Sequence, residues 1–358
     1  MTASLFDSAQ LGVLTLANRV VMAPMTRSRA TSDHVPNALM ATYYTQRAGA
    51  GLIITEGTSP SPNGLGYARI PGIYSAEQIA GWQQINAAVH AAGGRAFVQL
   101  MHTGRVSHPA NMPVGARVLA PSAVRLSGEI WTDTQGMQPY PVPEAMTESN
   151  IATAIEEYAA AAKNAIAAGF DGVELHAANG YLIDQFLNTA SNQRMDQWGG
   201  STENRIRFAV EVARAAVAAI GAERIGMRIS PYGVFNGMAP DAETEAMYEQ
   251  LILALNDIGL AYIHIVDHSS MGAPEVSPAL KSRIRSLFKG KYILSGGYVD
   301  LARANADLSA NRGDLVAFGR AFISNPDLVR KLQAGGVLTP WDMNTFYTPG
   351  EQGYIDYV

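Results

Sequence analysis

The sequence contains no cysteine among its 358 residues. Disulfide bonds, thiolate metal sites, iron–sulfur clusters and a cysteine nucleophile are therefore all excluded. Basic residues are in deficit as well, because 26 Lys and Arg stand against 31 Asp and Glu, which gives a net charge of −5 and a pI near 5.8. This balance argues against nucleic acid or an anionic membrane surface as a partner.

Long apolar runs are also missing. Residues 1–16 lack the basic and apolar regions of a signal peptide, and no apolar run approaches the roughly 20 residues of a membrane span. We expect a soluble cytoplasmic protein with no membrane partner. Apolar residues nevertheless make up 47% of the chain, which is sufficient for a large core.

Short β-branched runs alternate with helical patterns eight times. This alternation is typical of a parallel sheet wrapped by helices, and eight units favour a closed barrel over an open sheet. We predict an α/β fold in which residues 1–358 form one (β/α)8 TIM barrel domain with an N-terminal hairpin. One helix is expected to begin after Ser149 as its N-cap and to stop at Gly169. The predicted strands are residues 19–25, 51–57, 96–101, 172–178, 225–230, 262–267, 292–297 and 315–320.

Two segments interrupt the alternation. Residues 103–146, which are rich in Pro, Gly and Ser, lie between the third strand and its helix, and residues 188–202 separate the fourth strand from its main helix. Loops longer than about 15 residues are uncommon in compact domains and are usually functional. We predict that residues 103–146 form an excursion or lid within the barrel domain.

Polar residues interrupt three strands that should be buried on both faces. Gln99, Arg228 and His176 each lie in the C-terminal half of a strand, the end at which barrel enzymes carry their chemistry. A buried arginine needs an anionic or strongly accepting partner. An ion pair of Arg228 with Glu174 on the adjacent strand would satisfy that need, but three polar side chains at one mouth favour a ligand site.

The last two strands end in glycine-containing turns. Ser295, Gly296 and Gly297 close the seventh strand, and Gly319 and Arg320 close the eighth. The loops after these two strands are the recurrent phosphate site of the fold, because glycine lets backbone N–H groups approach an anion. Simple turn chemistry is the alternative, since glycine after a strand is common.

Small residues end the first two strands. Pro24, Met25 and Thr26 follow the first and Gly57 ends the second, which suits a flat ligand lying against the backbone. Taken singly, Pro24 or Gly57 is better explained by strand termination. Flavin mononucleotide combines a phosphate with a flat ring whose pyrimidine edge needs amide and cationic partners. The predicted mouth therefore suits FMN.

Five segments resemble the Old Yellow Enzyme family, and the resemblance covers nearly the whole chain. They are APMTRSR, FVQLMHTGR, GVELHAANGYLIDQFLNTASNQRMDQWGGSTENRIRF, MRISPYGVF and FGRAFISNPDL. Members are NADH:flavin oxidoreductases, including N-ethylmaleimide reductase-like ene-reductases, built as FMN-containing barrels. The resemblance implies non-covalent FMN, NADPH or NADH as reductant, and an activated alkene as substrate, such as an enone, enal, maleimide or nitroalkene.

The resemblance also implies cofactor contacts for individual residues. Thr26 would contact the flavin O4, Gln99 the pyrimidine edge and Arg228 the N1 position. The phosphate would be held by the loops at Ser295–Gly297 and Gly319–Arg320. Met101 stands where the family motif usually has Trp, at a position that is not catalytic.

Substrate contacts follow from the same resemblance. His176 and Asn179 would bind the carbonyl or nitro oxygen of the substrate, as donors to an oxygen on which negative charge develops. Tyr181 would donate a proton to the α-carbon as a general acid. Tyr67 and Tyr347 match positions that line the substrate pocket.

Three alternatives remain open at this stage. A flavin-free lyase or isomerase could use the same phosphate loops, but no strand ends in Lys, and His264, Asp267 and His268 lack a convincing set of metal ligands. A flavin protein that no longer turns over is a second alternative, against which the intact His176, Asn179 and Tyr181 argue. A family member specialised for one biosynthetic or nitrate-ester substrate is the third. No sequence motif decides between NADPH and NADH or indicates an oligomeric state.

Overall fold

Residues 3–357, the part of the chain that the computed structural model describes, form fourteen strands and ten α-helices. The strands are β1 (Ala9–Leu11), β2 (Leu14–Leu16), β3 (Val20–Met22), β4 (Leu52–Thr58), β5 (Ala96–Leu100), β6 (Leu119–Ala120), β7 (Glu129–Thr132), β8 (Gly136–Pro139), β9 (Glu144–Ala145), β10 (Gly172–Ala177), β11 (Ile225–Ile229), β12 (Tyr262–Val266), β13 (Lys291–Ser295) and β14 (Leu315–Phe318). The helices are α1 (Ala38–Thr45), α2 (Ala76–Ala91), α3 (Glu148–Ala167), α4 (Leu182–Leu187), α5 (Thr202–Ile220), α6 (Thr244–Ile258), α7 (Pro278–Leu287), α8 (Leu301–Ser309), α9 (Arg320–Ser324) and α10 (Leu328–Ala334).

Eight of the strands close into a parallel barrel, which confirms the predicted fold. Around the barrel the order is β3, β4, β5, β10, β11, β12, β13 and β14, and β14 pairs with β3. Because all eight run in the same direction, their C-terminal ends meet at one mouth. None of the helices formed by residues 3–357 is long and apolar enough to span a membrane.

An antiparallel hairpin of β1 and β2 covers the opposite end of the barrel. Leu11 and Leu16 are fully buried in one cluster with Phe97, Tyr262 and Leu315, which stand at or near the first residues of their strands. Burying a leucine side chain stabilises a fold by about 1.5–3 kcal/mol. The predicted N-terminal hairpin is thus present and closes the barrel base.

Several barrel strands end earlier than predicted, so the loops of the mouth are longer. Ala23 still donates to the carbonyl of Phe318 over 3.0 Å, but Pro24 has no N–H to continue the ladder. After β13, the seventh barrel strand, Gly296 and Gly297 have φ of 132° and 65°, so they leave the sheet. Arg320 does not end the eighth strand but opens helix α9.

The start of helix α3 differs from the prediction. Thr147, not Ser149, is the N-cap. The Thr147 hydroxyl accepts from the N–H of Asn150 over 3.2 Å, and the Asn150 side chain accepts from the N–H of Thr147 over 3.1 Å. This reciprocal box satisfies two N–H groups together, which Ser149 does not do. Gly169 does follow the helix, with φ of 85°.

Residues 103–146 contain secondary structure of their own. β6 pairs with β9, and β7 and β8 form an antiparallel hairpin. Leu126, Ile130 and Tyr140 from this excursion are buried in one cluster, against which Tyr67 and Tyr181 pack. The excursion therefore folds back over the barrel mouth.

A carboxylate is buried in the barrel interior. Glu174 on β10 is 0% exposed. Its Oε1 accepts from Gln99 Nε2 over 2.8 Å, and its Oε2 accepts from the Tyr262 hydroxyl over 3.1 Å and from His264 Nδ1 over 2.8 Å. Burial opposes ionisation of Glu174, but the adjacent His264 and Arg228 outweigh it and lower its pKa. Glu174 is therefore an anion with three donors from two other strands.

We expect Glu174→Gln to lower the free energy of unfolding by about 1–3 kcal/mol. The NH₂ of the new glutamine would replace one carboxylate oxygen, so the buried donors that faced this oxygen would lose their acceptor. The folded-state pKa lies below the unfolded value of about 4.3, so the carboxylate stabilises the fold fully above that pH and loses its contribution as pH falls. Urea unfolding should show a gap between wild type and variant that is widest at neutral pH. Glu156→Gln, at an exposed position on α3, is the matched control and should stay within about 0.5 kcal/mol of wild type. A neutral-pH gap no larger than that of the control would contradict this account.

Candidate active site

Two cavities adjoin each other at the mouth of the barrel. The first, about 480 Å³, is here called the glycine cavity, because Gly296, Gly297 and Gly319 line it. The second, about 650 Å³, is called the tyrosine cavity; four tyrosines line it, which are Tyr67, Tyr140, Tyr181 and Tyr347. Thr26 and Tyr347 line both cavities, so a ligand in one lies next to a ligand in the other.

The glycine cavity collects most of the residues predicted to bind a cofactor. Its wall also includes Asn179, His268 and the aromatic ring of Trp341. The guanidinium of Arg320 lies 5.8 Å from the centre of that ring. The predicted cofactor residues in the wall are Pro24, Met25, Thr26, Arg228, Ser295, Gly296, Gly297, Gly319 and Arg320.

The two other predicted cofactor residues, Gln99 and Gly57, are not among the residues lining this cavity. Gln99 uses its Nε2 on Glu174. A Cβ on Gly57 would lie 2.5 Å from the Sδ of Met101, so the absent side chain makes room for a neighbouring methionine rather than for a flat ligand. The lack of a side chain at Gly57 is therefore explained by its packing against Met101, the residue that stands where the family motif usually has Trp.

Arg228 is a buried cation without a direct partner. It is 6% exposed, its Nε is buried without a hydrogen bond, and no described residue hydrogen-bonds or ion-pairs with its guanidinium. The alternative considered above, a direct ion pair with Glu174, is not formed, because that carboxylate accepts from Gln99, Tyr262 and His264 instead. A buried guanidinium without a hydrogen-bonded partner is costly, so its position in the cavity wall indicates an anionic or strongly accepting ligand.

Tyr181 points into the tyrosine cavity as the N-cap residue of α4. Its hydroxyl lies 3.1 Å from that of Tyr67, and its ring centre lies 5.0 Å from that of His176. Burial raises the pKa of Tyr181 to about 12, against the hydrogen bond from Tyr67, which lowers it. The phenol is therefore protonated at neutral pH and is able to donate.

His176 is buried at the C-terminal end of β10. Burial, and then the positive charge of Arg228, lower its pKa well below the ordinary value. The imidazole is therefore neutral and has one N–H to donate. Its Nδ1 is buried without a partner.

Asn179 occupies a left-handed turn between β10 and α4, with φ of 61°. Its N–H donates to the Ser230 hydroxyl over 2.9 Å, and its carbonyl accepts from Asn236 Nδ2 over 2.8 Å. Its Oδ1 lies 2.7 Å from Nε2 of His268. Three side chains from the two following strand ends thus hold this one residue.

No role was predicted for the residues that hold the rim of the site. Arg29 donates to the carbonyls of Thr345 and Phe346, and Arg27 donates to those of Phe346 and Gly353. These bonds connect the C-terminal segment, which carries Tyr347, to the loop that follows β3, the first strand of the barrel. Both arginines belong to the APMTRSR segment, but such a long-range contact leaves no local signal.

The excursion supplies further residues that sequence reasoning missed. Trp131, Met137 and Tyr140 line the tyrosine cavity from β7, β8 and the turn that follows. Asp133 forms an ion pair with Arg69, whose guanidinium also donates to the carbonyl of Tyr347 over 3.3 Å. Among residues 3–357 no group of three or more His, Asp or Glu side chains could hold a metal ion.

Proteins of one flavin-dependent family are similar to this chain. A model of the NADH:flavin oxidoreductase / NADH oxidase family matches residues 4–338. A probable flavin mononucleotide-dependent alkene reductase of Leishmania infantum is 44% identical over 348 residues, covering 96% of this chain and 93% of that protein. The Old Yellow Enzyme homologue of Zymomonas mobilis superposes with a TM-score of 0.95 at 41% identity, over 99% of both chains.

This chain belongs to the Old Yellow Enzyme family.

Family membership makes the chain an NAD(P)H-dependent flavin oxidoreductase and contradicts the flavin-free lyase or isomerase. A morphinone reductase solved in complex with tetrahydroNAD is also similar, with a TM-score of 0.94 and 44% identity over 99% of this chain and 97% of that one. The two adjoining cavities at the mouth are thus consistent with the nicotinamide-dependent flavin chemistry of the family.

The turn that carries the site should make stability depend on pH. Asp184 accepts from the N–H of Gly180 over 2.8 Å, and burial raises its pKa to about 7. Between about pH 4 and pH 7 the folded chain holds a proton that the unfolded chain has released, so the free energy of unfolding falls as pH rises. Asp184→Asn should flatten this slope in urea unfolding at pH 5 and pH 7. Asp33→Asn, at an exposed position, should keep the wild-type slope, and an unchanged slope in Asp184→Asn would contradict the assignment.

Proposed function

We propose that this protein is an FMN-dependent ene-reductase that reduces the C=C bond of an activated alkene with NADPH or NADH. The observation that carries the proposal is Arg228, a buried cation that no described residue satisfies, in the wall of a glycine-rich cavity. The second support is the adjoining tyrosine cavity, in which Tyr181 supplies a protonated phenol. The two cavities suit a flavin and a substrate stacked beside it.

The residues of the glycine cavity fit FMN. A phosphate needs N–H donors and positive charge, which the turns at Ser295–Gly297 and Gly319–Arg320 supply. A Cβ on Gly319 would meet nothing closer than Met25 Sδ at 3.8 Å, so the backbone there is open to a ligand. Arg228 would lie against the pyrimidine edge, with Gln99 and Thr26 as further polar contacts. We propose non-covalent binding, as the family resemblance implies.

Residues of both cavities, together with His176 beside Tyr181, would act on the bound alkene. Bound FMN would supply hydride transfer from the nicotinamide to the β-carbon of the alkene. His176 and Asn179 would donate hydrogen bonds to the carbonyl or nitro oxygen, where negative charge develops. Tyr181 would give its proton to the α-carbon, and Tyr67 and Tyr347 would pack against the substrate.

The excursion would close over the substrate. We propose that residues 1–358 form one FMN-binding domain in which residues 103–146 are the lid. Tyr140 and the β7–β8 hairpin support this proposal, because they line the tyrosine cavity, and the ion pair of Asp133 with Arg69 ties the hairpin to the rim. Enones, enals, maleimides and nitroalkenes are the proposed substrates; a single biosynthetic substrate or a nitrate ester is the alternative within the family.

Denaturing the purified protein should release one FMN per chain, identified by chromatography against FMN and FAD. Arg320→Ala should weaken FMN retention, because a charge-assisted contact to the phosphate is lost. Arg330→Ala removes an arginine that is 81% exposed on α10 and should leave the FMN content unchanged. Release of FAD, or no flavin after reconstitution with FMN, would overturn the proposed function.

Tyr181→Phe should separate the two half-reactions. Flavin reduction by NADPH needs no proton from the phenol and should be nearly unchanged. Reoxidation by an enone should slow by about 10²-fold or more, the usual range for a positioned general acid. Nitroalkenes should be less affected, because a nitronate is stable enough to leave and be protonated in water.

Stopped-flow absorbance resolves both half-reactions of the Tyr181→Phe variant. Tyr74→Phe removes a hydroxyl outside both cavities and serves as the control, with both rates expected at wild-type values. Slow reduction by NADPH together with normal reoxidation by the enone would show that Tyr181 positions the cofactor and that the proton comes from elsewhere.

A further inference from the structure

Asn179 has one hydrogen-bonding group left for a ligand. Its N–H is used on Ser230 and its carbonyl on Asn236. Its side-chain Oδ1 is held by His268 over 2.7 Å. Only Nδ2 remains, and Asn179 lines the glycine cavity beside Arg228.

His268 itself is held in place from two sides. It follows β12 directly after Asp267, and its carbonyl accepts from the N–H groups of Met271 and Ala273 over 2.8 Å and 3.3 Å. The edge of its ring packs against Phe235 at 4.7 Å and an interplanar angle of 70°. The imidazole is therefore a fixed support rather than a mobile loop side chain.

The charged groups that act on His268 keep it neutral at pH 7. Burial is the main cause that lowers its pKa to about 4, Arg228 and Arg320 lower it further, and Asp267 opposes them. Asp267 is itself paired with Lys281 over 2.5 Å. A neutral imidazole carries one N–H, and a hydrogen on Nε2 makes the ring a donor to an amide oxygen.

The orientation of the Asn179 amide matters because its two ends are opposite in charge. With Oδ1 held by an N–H donor, Nδ2 is the end of the amide left for a ligand and can donate to a developing oxyanion. If the amide turned over, the carbonyl oxygen would face that oxyanion and repel it. Without its partner on Oδ1, the amide would have no contact in the described chain that selects between the two orientations.

We propose that His268 is a positioning residue that donates from Nε2 to Asn179 Oδ1 and so presents Nδ2 of Asn179 to the oxygen of the substrate. The inference rests on the proposed function, since it assumes that Asn179 binds that oxygen. His268 acts through Asn179 and needs no contact with the substrate.

Three variants at position 268 separate the hydrogen bond from packing. His268→Phe keeps a ring beside Phe235 but has no N–H. His268→Gln keeps an N–H donor the same number of bonds from Cβ but has no ring. His268→Ala removes both and stands in if the phenylalanine variant does not retain FMN. His90→Phe, on helix α2 and outside both cavities, controls for the added phenylalanine.

The measurement is the dissociation constant of phenol, which mimics the enolate. Phenol is titrated into the FMN-loaded protein, and binding is followed by the long-wavelength charge-transfer band of a phenolate stacked on the flavin. His268→Phe should weaken phenol binding about tenfold or more, in the range of a hydrogen bond to a charged group. His268→Gln should stay within about threefold of wild type, and His90→Phe should match wild type. The kcat/KM for an enone should follow the same order.

A double-mutant cycle decides whether His268 works through Asn179. In an Asn179→Ala background, His268→Phe should cause almost no further loss of phenol affinity, because the group that it orients is gone. An equal loss in both backgrounds, or no loss in either, would overturn the proposal. Failure of the wild-type protein to bind phenol would instead overturn the acceptor site of the proposed function, and this inference with it.

Discussion

The rest of the site depends on the hydrogen bonds that hold the buried, negatively charged Glu174 inside the barrel. A buried carboxylate is tolerated only when it is fully hydrogen-bonded, and Gln99, Tyr262 and His264 provide the donors. These donors come from β5 on one side and from β12, two strands away on the other. The same charge stands near Arg228 without pairing with it, so the cation is tolerated in the interior while its guanidinium stays available to a ligand.

Arg228 in turn sets the protonation of the side chains around it. Its charge adds to burial in lowering the pKa values of His176 and His268, so both rings are neutral. Tyr181 is kept protonated by burial. The mouth thus combines one fixed cation with neutral donors, an arrangement suited to oxygen or ring positions that become negative during a reaction.

Much of the fold and the site could be predicted, for identifiable reasons. Barrel strands are continuous apolar runs with a recognisable period, so all eight were placed correctly to within a few residues at each end. Polar residues that break such runs, such as Gln99 and Arg228, are visible in the sequence for the same reason. The predicted ends of strands and helices were less accurate. Pro24 ends the hydrogen-bond ladder of β3 early, and the choice of Thr147 as the N-cap of α3 depends on its reciprocal hydrogen bonds with Asn150. The sequence left a direct pair of Arg228 with Glu174 open as an alternative, because it does not show that side chains from β5 and β12 take up the Glu174 carboxylate.

The sequence by itself determined the barrel, the family and the direction in which the strand-end residues point, because these follow from hydrophobic period and strand polarity. Only the tertiary structure decided which polar groups meet. His268 reaches Asn179 across 89 residues, and Arg29 reaches the carbonyls of the C-terminal segment across more than 300. Such contacts depend on where independent loops converge after the barrel has closed, and no local pattern in the chain records that convergence.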